Sequence, residues 1–324
     1  MDSTLSLNEE IDLRVKALVK PECLLQDPPP PPITDLVYPQ FAASIASSYN
    51  APVKMENNWG VYDTERKLRL YGDTWLYKTS VQTNAPAGSV IPILEGGVIK
   101  YFGRQHFKSA FNADYESRYY KSSDGVSWVN TFLDRTVQGE DSNLIQSAST
   151  GAVWNFIRPS RIRDLAVQTL RTDVSNNKLP SGMSYLIFRN TDLSFGRDVY
   201  CACPIIVEDG AFQKFLLFVS LYRKGNLGQD VEQLPPYSTD EHTVDGYLYF
   251  YDPVYDIIKI LNNGLPIIAR QGGQQQSYNW ATLWKDTIYI NHSTCMNKHV
   301  MSQPQTLTSQ IYTWKLSDAV KFIK

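Results

Sequence analysis

The sequence predicts an all-β protein whose antiparallel meanders form a β-propeller-like domain of about five blades. The chain has 20 Tyr, 13 Phe and 7 Trp, and from residue 53 onward short aromatic and β-branched runs alternate with Gly, Asn and Asp. No long amphipathic helical pattern follows residue 50, so the strands lack the helices that parallel crossovers require. A two-sheet β-sandwich is the alternative, because no sharp repeat of about 40 residues is visible.

The domain is expected to span residues 51–324 and to follow an N-terminal arm over residues 1–50. A chain of 324 residues with 43% hydrophobic residues can bury a large core. Single all-β domains of about 250 residues are common. One large domain with an arm therefore accounts for the length.

The arm begins with a short predicted helix, because Ser6 and Glu9 have the spacing of a capping box and Pro21 ends the apolar pattern. Five prolines then favour an extended, semi-rigid polyproline spacer, and residues 33–51 are expected to form a surface loop. We expect the arm to bind neighbouring subunits of an oligomer, with packing of the helix on its own domain as the alternative. The residues concerned are Leu7, Ile11, Val15, Leu18, Pro28, Pro29, Pro30, Pro31 and Pro32.

Within the domain, the strand pattern predicts segments 59–62, 67–71, 74–79, 98–102, 117–121, 127–132, 152–157, 164–170, 184–189, 199–207, 212–222, 246–251, 257–261, 267–271, 278–284, 287–291 and 310–316. Turns that contain Asp, in one case with Pro, mark three clear hairpins. They join 247–251 to 257–261, 280–284 to 287–291, and 311–316 to a last strand at 320–323.

Charge and hydropathy exclude several classes of function. The formal net charge is -2, from 31 Lys and Arg against 33 Asp and Glu, and no basic stripe suits nucleic acid. No apolar stretch approaches the roughly 20 residues that span a bilayer, and the acidic N-terminus does not resemble a secretory signal. We expect a chain without membrane insertion or export, located in a virion or otherwise in the cytoplasm.

The cysteines and histidines predict no cofactor and no metal site. Cys23, Cys201, Cys203 and Cys295 are too scattered for a disulfide framework and are expected to be reduced. The histidines show no ligand spacing; they are His106, His242, His292 and His299.

The best-marked local feature is the segment from Ser122 to Trp128, which reads Ser-Ser-Asp-Gly-Val-Ser-Trp. Asp124 can accept hydrogen bonds from the backbone amides that follow it, and Gly125 can adopt the positive φ of a tight hairpin. Trp128 supplies a large apolar plate. The segment therefore predicts a structural turn between two strands.

This segment resembles an Asp-box, the hairpin turn of sialidase-like propellers, although it is one residue shorter because Gly125 directly follows Asp124. The resemblance implies a turn on the outer rim of a blade, away from the central cavity where ligands bind. It also implies glycan handling. The early Arg-Ile-Pro signature of sialidases is absent.

No catalytic residue is predicted, since hydrolase elbows, zinc-protease helices, phosphate loops and dinucleotide fingerprints are all missing. Carboxylates near strand ends could converge at a propeller axis, and spacing does not choose among them. They are Asp63, Asp73, Glu95, Asp114, Glu116, Glu208 and Asp245. Exposed tryptophans could stack on sugar rings, and the candidates are Trp59, Trp75, Trp154, Trp280 and Trp284.

Two functions are consistent with these features. The first is a non-enzymatic structural or attachment component of a larger assembly, viral or phage-like, held together through the arm. The alternative is a carbohydrate-binding or carbohydrate-cleaving propeller, with a glycan as partner.

Overall fold

The computed structural model describes residues 36–86, 88–108, 115–134, 140–147, 149, 153–158, 165–170, 185–188, 198–210, 213–222, 244–252, 254–255, 257–269, 276–296 and 306–323. The chain divides into two units, residues 1–36 and 37–324, and every element below belongs to the second. The predicted arm helix, the five prolines and Cys23 lie outside the described residues.

Twenty strands are described, and they form five blades of four. Blade 1 holds β2 (Val53–Lys54), β3 (Trp59–Tyr62), β4 (Lys67–Tyr71) and β5 (Tyr77–Gln82). Blade 2 holds β6 (Val90–Glu95), β7 (Val98–Lys108), β8 (Tyr115–Ser122) and β9 (Val129–Asp134). Blade 3 holds β10 (Glu140–Gln146), β11 (Val153–Arg158), β12 (Leu165–Leu170) and β13 (Tyr185–Phe188).

The remaining blades share one hydrogen-bonded sheet. Blade 4 holds β14 (Asp198–Glu208), β15 (Lys214–Tyr222), β16 (Val244–Asp252) and β17 (Ile257–Ile260). Blade 5 holds β18 (Gln276–Trp284), β19 (Thr287–Met296), β20 (Thr306–Lys315) and β1 (Gln40–Ile45). Neighbouring strands within each blade are antiparallel, and one parallel pair of residues, Val244 and Gln276, links blade 4 to blade 5. The predicted all-β, propeller-like meanders are confirmed.

Strand β1 closes the ring, because this segment from near the start of the described chain supplies the fourth strand of the last blade. It lies inside residues 33–51, where the sequence suggested a surface loop, and that detail is wrong. The reason is packing: Ala43 and Ile45 contact the core between blades 5 and 1 around Ile311. Small and polar neighbours conceal this alternation in the sequence.

The C-terminus also differs from expectation, since residues 320–323 do not form a strand. Helix α1 (Leu316–Ala319) is followed by a 3-10 turn over Val320–Ile323, and another 3-10 turn covers Asn262–Gly264. Phe322 is buried and packs edge-on against Trp314 and Tyr38, at ring-centroid distances of 5.2 and 5.3 Å. A helical turn brings this ring back over β20 where a strand would extend it away. No helix in the described part of the chain is long and apolar enough to cross a membrane.

The core lies in layers between adjacent blades, as expected when sheets pack face to face. Between blades 1 and 2, Tyr62, Leu68, Tyr101 and Trp128 form one cluster. Between blades 5 and 1, Trp59 stacks on Trp75 at 5.3 Å and contacts Tyr289 at 4.1 Å, measured between ring centroids. These layers fix the first strand of each blade around a common axis.

Candidate functional site

A cavity of about 260 Å³ lies where the first strands of the blades meet. Its walls come from β6, β10, β14 and β18, and from Ala51, which is two residues before β2. Neighbouring first strands contact one another: β10 contacts β14, and β14 contacts β18. The cavity is therefore axial, and four blades and the segment before blade 1 contribute to it.

The wall of the cavity is mostly apolar, with a few polar groups. Such a composition is typical of sites for small organic ligands, and the volume is close to the lower end of such sites, about 300 Å³. Apolar lining residues include Val90, Ile91, Leu144, Ile145, Ile205 and Ile206.

Three polar side chains, which we call the mouth, line the cavity at corresponding strand ends. Gln146 is the last residue of β10, Asp209 directly follows β14, and Lys285 directly follows β18. Asp209 and Lys285 are exposed. The cavity therefore opens to solvent at the carboxyl ends of the first strands.

Asp209 is held in place by side chains from blades 3 and 4. Its Oδ1 accepts hydrogen bonds from the hydroxyls of Ser147 at 2.6 Å and Ser149 at 2.7 Å, and Oδ2 accepts one from the Ser149 N–H at 3.3 Å. Gln213 donates its amide to Oδ1 at 3.4 Å and to the Gly210 carbonyl at 2.9 Å. The carboxylate thus ties the segment after β10 to the turn after β14.

These contacts favour the ionised form of Asp209. Partial burial raises the pKa of the carboxyl, but hydrogen bonds from Ser147, Ser149 and Gln213 outweigh it and leave the pKa below its ordinary value. A carboxylate of this kind accepts hydrogen bonds at neutral pH. It is suited to bind a hydroxyl or to act as a base, and unsuited to act as an acid.

Gln146 is oriented in a similar way, since its Oε1 accepts the backbone N–H of Leu94 at 2.8 Å. Cys203 lines the deeper wall, where its Sγ bonds both the N–H and the carbonyl of Ala281, at 3.1 and 3.2 Å. Burial raises the pKa of this thiol to about 12. Cys203 therefore joins blade 4 to blade 5 as a neutral thiol, and its low acidity excludes a role as nucleophile at neutral pH.

Among the described residues, no group of His, Cys, Asp and Glu side chains could hold a metal ion. Cys203 and Cys295 are buried free thiols.

The tryptophans proposed as sugar platforms are placed mostly in the core. Trp59, Trp75 and Trp280 are at most 7% exposed, and Trp284 packs partly buried against the cluster between blades 5 and 1. Trp154 lies in β11, and its side chain is outside the described part. The large apolar area of these rings stabilises the seams between blades, which accounts for their burial.

Those of the carboxylates nominated from strand ends that the structure describes do not line the cavity. Asp63 is buried and accepts the backbone N–H groups of Glu65 and Lys67 in the β3–β4 turn. Three others form ion pairs: Asp73 with Lys54, Glu95 with Lys100, and Glu208 with Lys214. Asp114 and the side chain of Glu116 are outside the described residues. Asp209 was missed, although it adjoins the nominated Glu208 in a Glu-Asp-Gly turn.

The turn from Ser122 to Trp128 has the geometry that its sequence predicts. Asp124 Oδ1 accepts the N–H groups of Val126 and Ser127, both at 2.8 Å, and the Ser122 hydroxyl at 2.8 Å. Gly125 has φ of +76°, and Trp128 is buried with its Nε1–H donating to the Gly125 carbonyl at 3.0 Å. The turn joins β8 to β9, the last two strands of blade 2, and so lies on the rim.

Comparisons with known proteins support the fold. No protein-family model and no curated protein sequence matches the chain. Among solved structures, the chain is similar to a Bombyx mori GH32 beta-fructofuranosidase, with a TM-score of 0.51 and 13% identity over 86% of this chain and 63% of that one. An exo-1,5-alpha-L-arabinanase from a bovine ruminal metagenomic library gives a TM-score of 0.50 and 13% identity, over 85% of this chain and 95% of that one.

An exo-beta-1,3-galactanase from Phanerochaete chrysosporium gives a TM-score of 0.55 and 8% identity, over 86% of this chain and 65% of that one. The chain thus spans less than two thirds of the silkworm and fungal proteins and nearly the whole arabinanase. At these identities the likeness establishes a shared propeller fold.

Proposed function

We propose that this protein binds carbohydrate in the axial cavity. The observation that carries the proposal is the cavity itself, which combines an apolar wall with a mouth of one carboxylate, one amide and one ammonium group. Sugars present apolar ring faces and a rim of hydroxyls, and such ligands require both kinds of contact. The volume of about 260 Å³ suits a single sugar ring or the end of a chain.

The similar structures support the same class of ligand. They are a fructofuranosidase, an arabinanase and a galactanase, and all three act on sugars. No comparison, and no residue in the described ranges, supports a role in a viral or phage assembly. Docking through the arm stays a prediction, since those residues lie outside the described part.

Cleavage of the sugar is a second candidate function, which the similarity to these three enzymes favours. Glycoside hydrolysis usually requires two carboxyl groups about 5–9.5 Å apart, one of them protonated to act as an acid. Asp209 is the one carboxylate among the described residues that line the cavity, and its lowered pKa suits a base. The acid would have to come from residues outside the described ranges. Binding is therefore the function that the site supports better.

The proposal is tested with two threonines that lie opposite the same residue. Thr282 and Thr313 flank Tyr289 on β18 and β20, both are partly buried, and Thr282 alone of the two lines the cavity. We expect wild type to bind fructose, arabinose or galactose in calorimetric titration, Thr282→Phe to lose that binding, and Thr313→Phe to keep it.

Failure of all three sugars to bind wild type, or equal binding by Thr282→Phe, would contradict the proposal. Chromogenic glycosides of the same sugars then test cleavage. Release of the chromophore by wild type and not by Asp209→Asn would favour a hydrolase.

A further inference from the structure

The seam between blades 4 and 5 contains buried polar side chains without partners among the described residues. Ser220, on β15, and Asn279, on β18, are 0% and 1% exposed. Neither the Ser220 hydroxyl nor the Asn279 Nδ2 has a hydrogen-bond partner in the described part of the chain. Buried polar groups in native proteins are bonded to protein or to ordered water, so this pair requires an explanation.

The two groups lie side by side across the seam. Ser220 is directly opposite Gly246 in the antiparallel β15–β16 pair, so its side chain projects on the face where a Gly246 side chain would lie. A Cβ placed on Gly246 would be 2.4 Å from Asn279 Nδ2. The amide nitrogen of blade 5 therefore sits over Gly246, next to the hydroxyl of blade 4.

His292 fixes which end of the amide faces Gly246. Its Nδ1 lies 2.8 Å from Asn279 Oδ1. An amide oxygen can only accept, so Nδ1 carries the hydrogen and donates it. This bond holds Oδ1 toward the histidine and turns the two hydrogens of Nδ2 toward blade 4.

The amide of Asn279 fills the space over Gly246. The β16 and β18 strands pair in parallel at Val244 and Gln276, and two residues later Gly246 contributes no side chain. Near the pair, the Ser277 hydroxyl reaches only as far as the Val244 carbonyl, at 3.4 Å. At Gly246 the Asn279 side chain reaches across from β18.

We propose that an internal water molecule lies between Asn279 and Ser220, accepting a hydrogen bond from the Asn279 Nδ2 and bonding the Ser220 hydroxyl. A water in such a position has the polar partners that buried waters require. It would extend the link between the blades past the single parallel pair of backbone residues. The site is separate from the axial cavity, whose lining includes neither Ser220 nor Asn279.

A crystal structure of the wild-type chain tests the site directly. We expect a density peak within about 3.2 Å of both Asn279 Nδ2 and Ser220 Oγ. No peak, or a direct hydrogen bond between the two side chains, would overturn the proposal.

A double-mutant cycle provides a second measurement. Ser220→Ala and Asn279→Ala each lower the urea midpoint, and because both act on one water the double variant should lose less than the sum of the two losses. Ser317→Ala, at an exposed serine of α1, is the control and should leave the midpoint unchanged. Additive losses would contradict a shared water.

Discussion

Two aspartates of this propeller are bound in the same way and differ in where their partners come from. Asp124, on the rim of blade 2, accepts hydrogen bonds from residues two and three positions away. Asp209, at the mouth of the cavity, accepts them from residues 60 and 62 positions earlier, across a blade boundary. In both, hydrogen bonds outweigh burial and leave the pKa below its ordinary value.

The difference separates structure from function. A carboxylate whose partners lie in its own turn does not depend on another blade, and its effect is on stability. A carboxylate satisfied across two blades requires the assembled ring, and its position at an opening leaves it accessible to a ligand. We therefore expect substitutions on the rim to change the stability of the fold and substitutions at the mouth to change binding.

The largest expected loss of stability comes from Trp128→Ala on the rim. The ring is 5% exposed and packs edge-on against Tyr62, with centroids 6.1 Å apart. Removing a buried Trp costs about 3–5 kcal/mol, measured as the free energy of unfolding in urea. Sugar binding per folded molecule should not change. A loss below about 1 kcal/mol would show that the rim turn does not support the seam between blades 1 and 2.

His292 should respond to pH over a higher range than the two aspartates, because burial lowers its pKa from 6.5 to about 4. Between those values the unfolded chain binds a proton that the folded chain does not. Stability should therefore fall as the pH drops from 6.5 to 4, by about 3 kcal/mol in total.

Urea titrations at pH 7 and pH 5 measure this effect, with His292→Gln as the matched variant that retains a donor for Asn279. The variant should lose most of the change between the two pH values. The aspartates behave differently, since their contribution is complete above about pH 4 and is lost only below it. An unaltered pH response in His292→Gln would exclude this histidine as its source.

Gly125→Ala should have a smaller effect, again confined to stability. The φ of +76° costs a residue with a side chain about 1–2 kcal/mol, and the added Cβ would lie 2.5 Å from the Met55 Cε, which can move aside. Gly97→Ala is a matched control, since φ is +81° and nothing lies within 4 Å of the added Cβ. Equal losses in the urea midpoint would show that strain alone, without packing against blade 1, sets the cost.

The sequence could predict the elements that depend on neighbours in the chain. The strand patterns indicated the meanders, and Ser122 to Trp128 indicated a turn in which the hydrogen bonds of Asp124 are all local. The sequence could not predict that β1 would pair with β20, because those segments are more than 260 residues apart. What favours the pairing is the packing of β1 side chains on the cluster around Ile311. The mouth was missed for the same reason, since Gln146, Asp209 and Lys285 meet only when the first strands are assembled.

Two equal substitutions compare sugar binding at the mouth with sugar binding on the rim. Asp209→Asn and Asp124→Asn each remove one negative charge from a hydrogen-bonded carboxylate and keep its shape. Calorimetric titration with the sugar that binds wild type most tightly should show a loss of at least about tenfold in affinity for Asp209→Asn, since about 1.4 kcal/mol corresponds to tenfold and hydrogen bonds to charged groups contribute that much or more. Asp124→Asn should bind as wild type does. Equal affinities for the two variants would contradict sugar binding at the mouth.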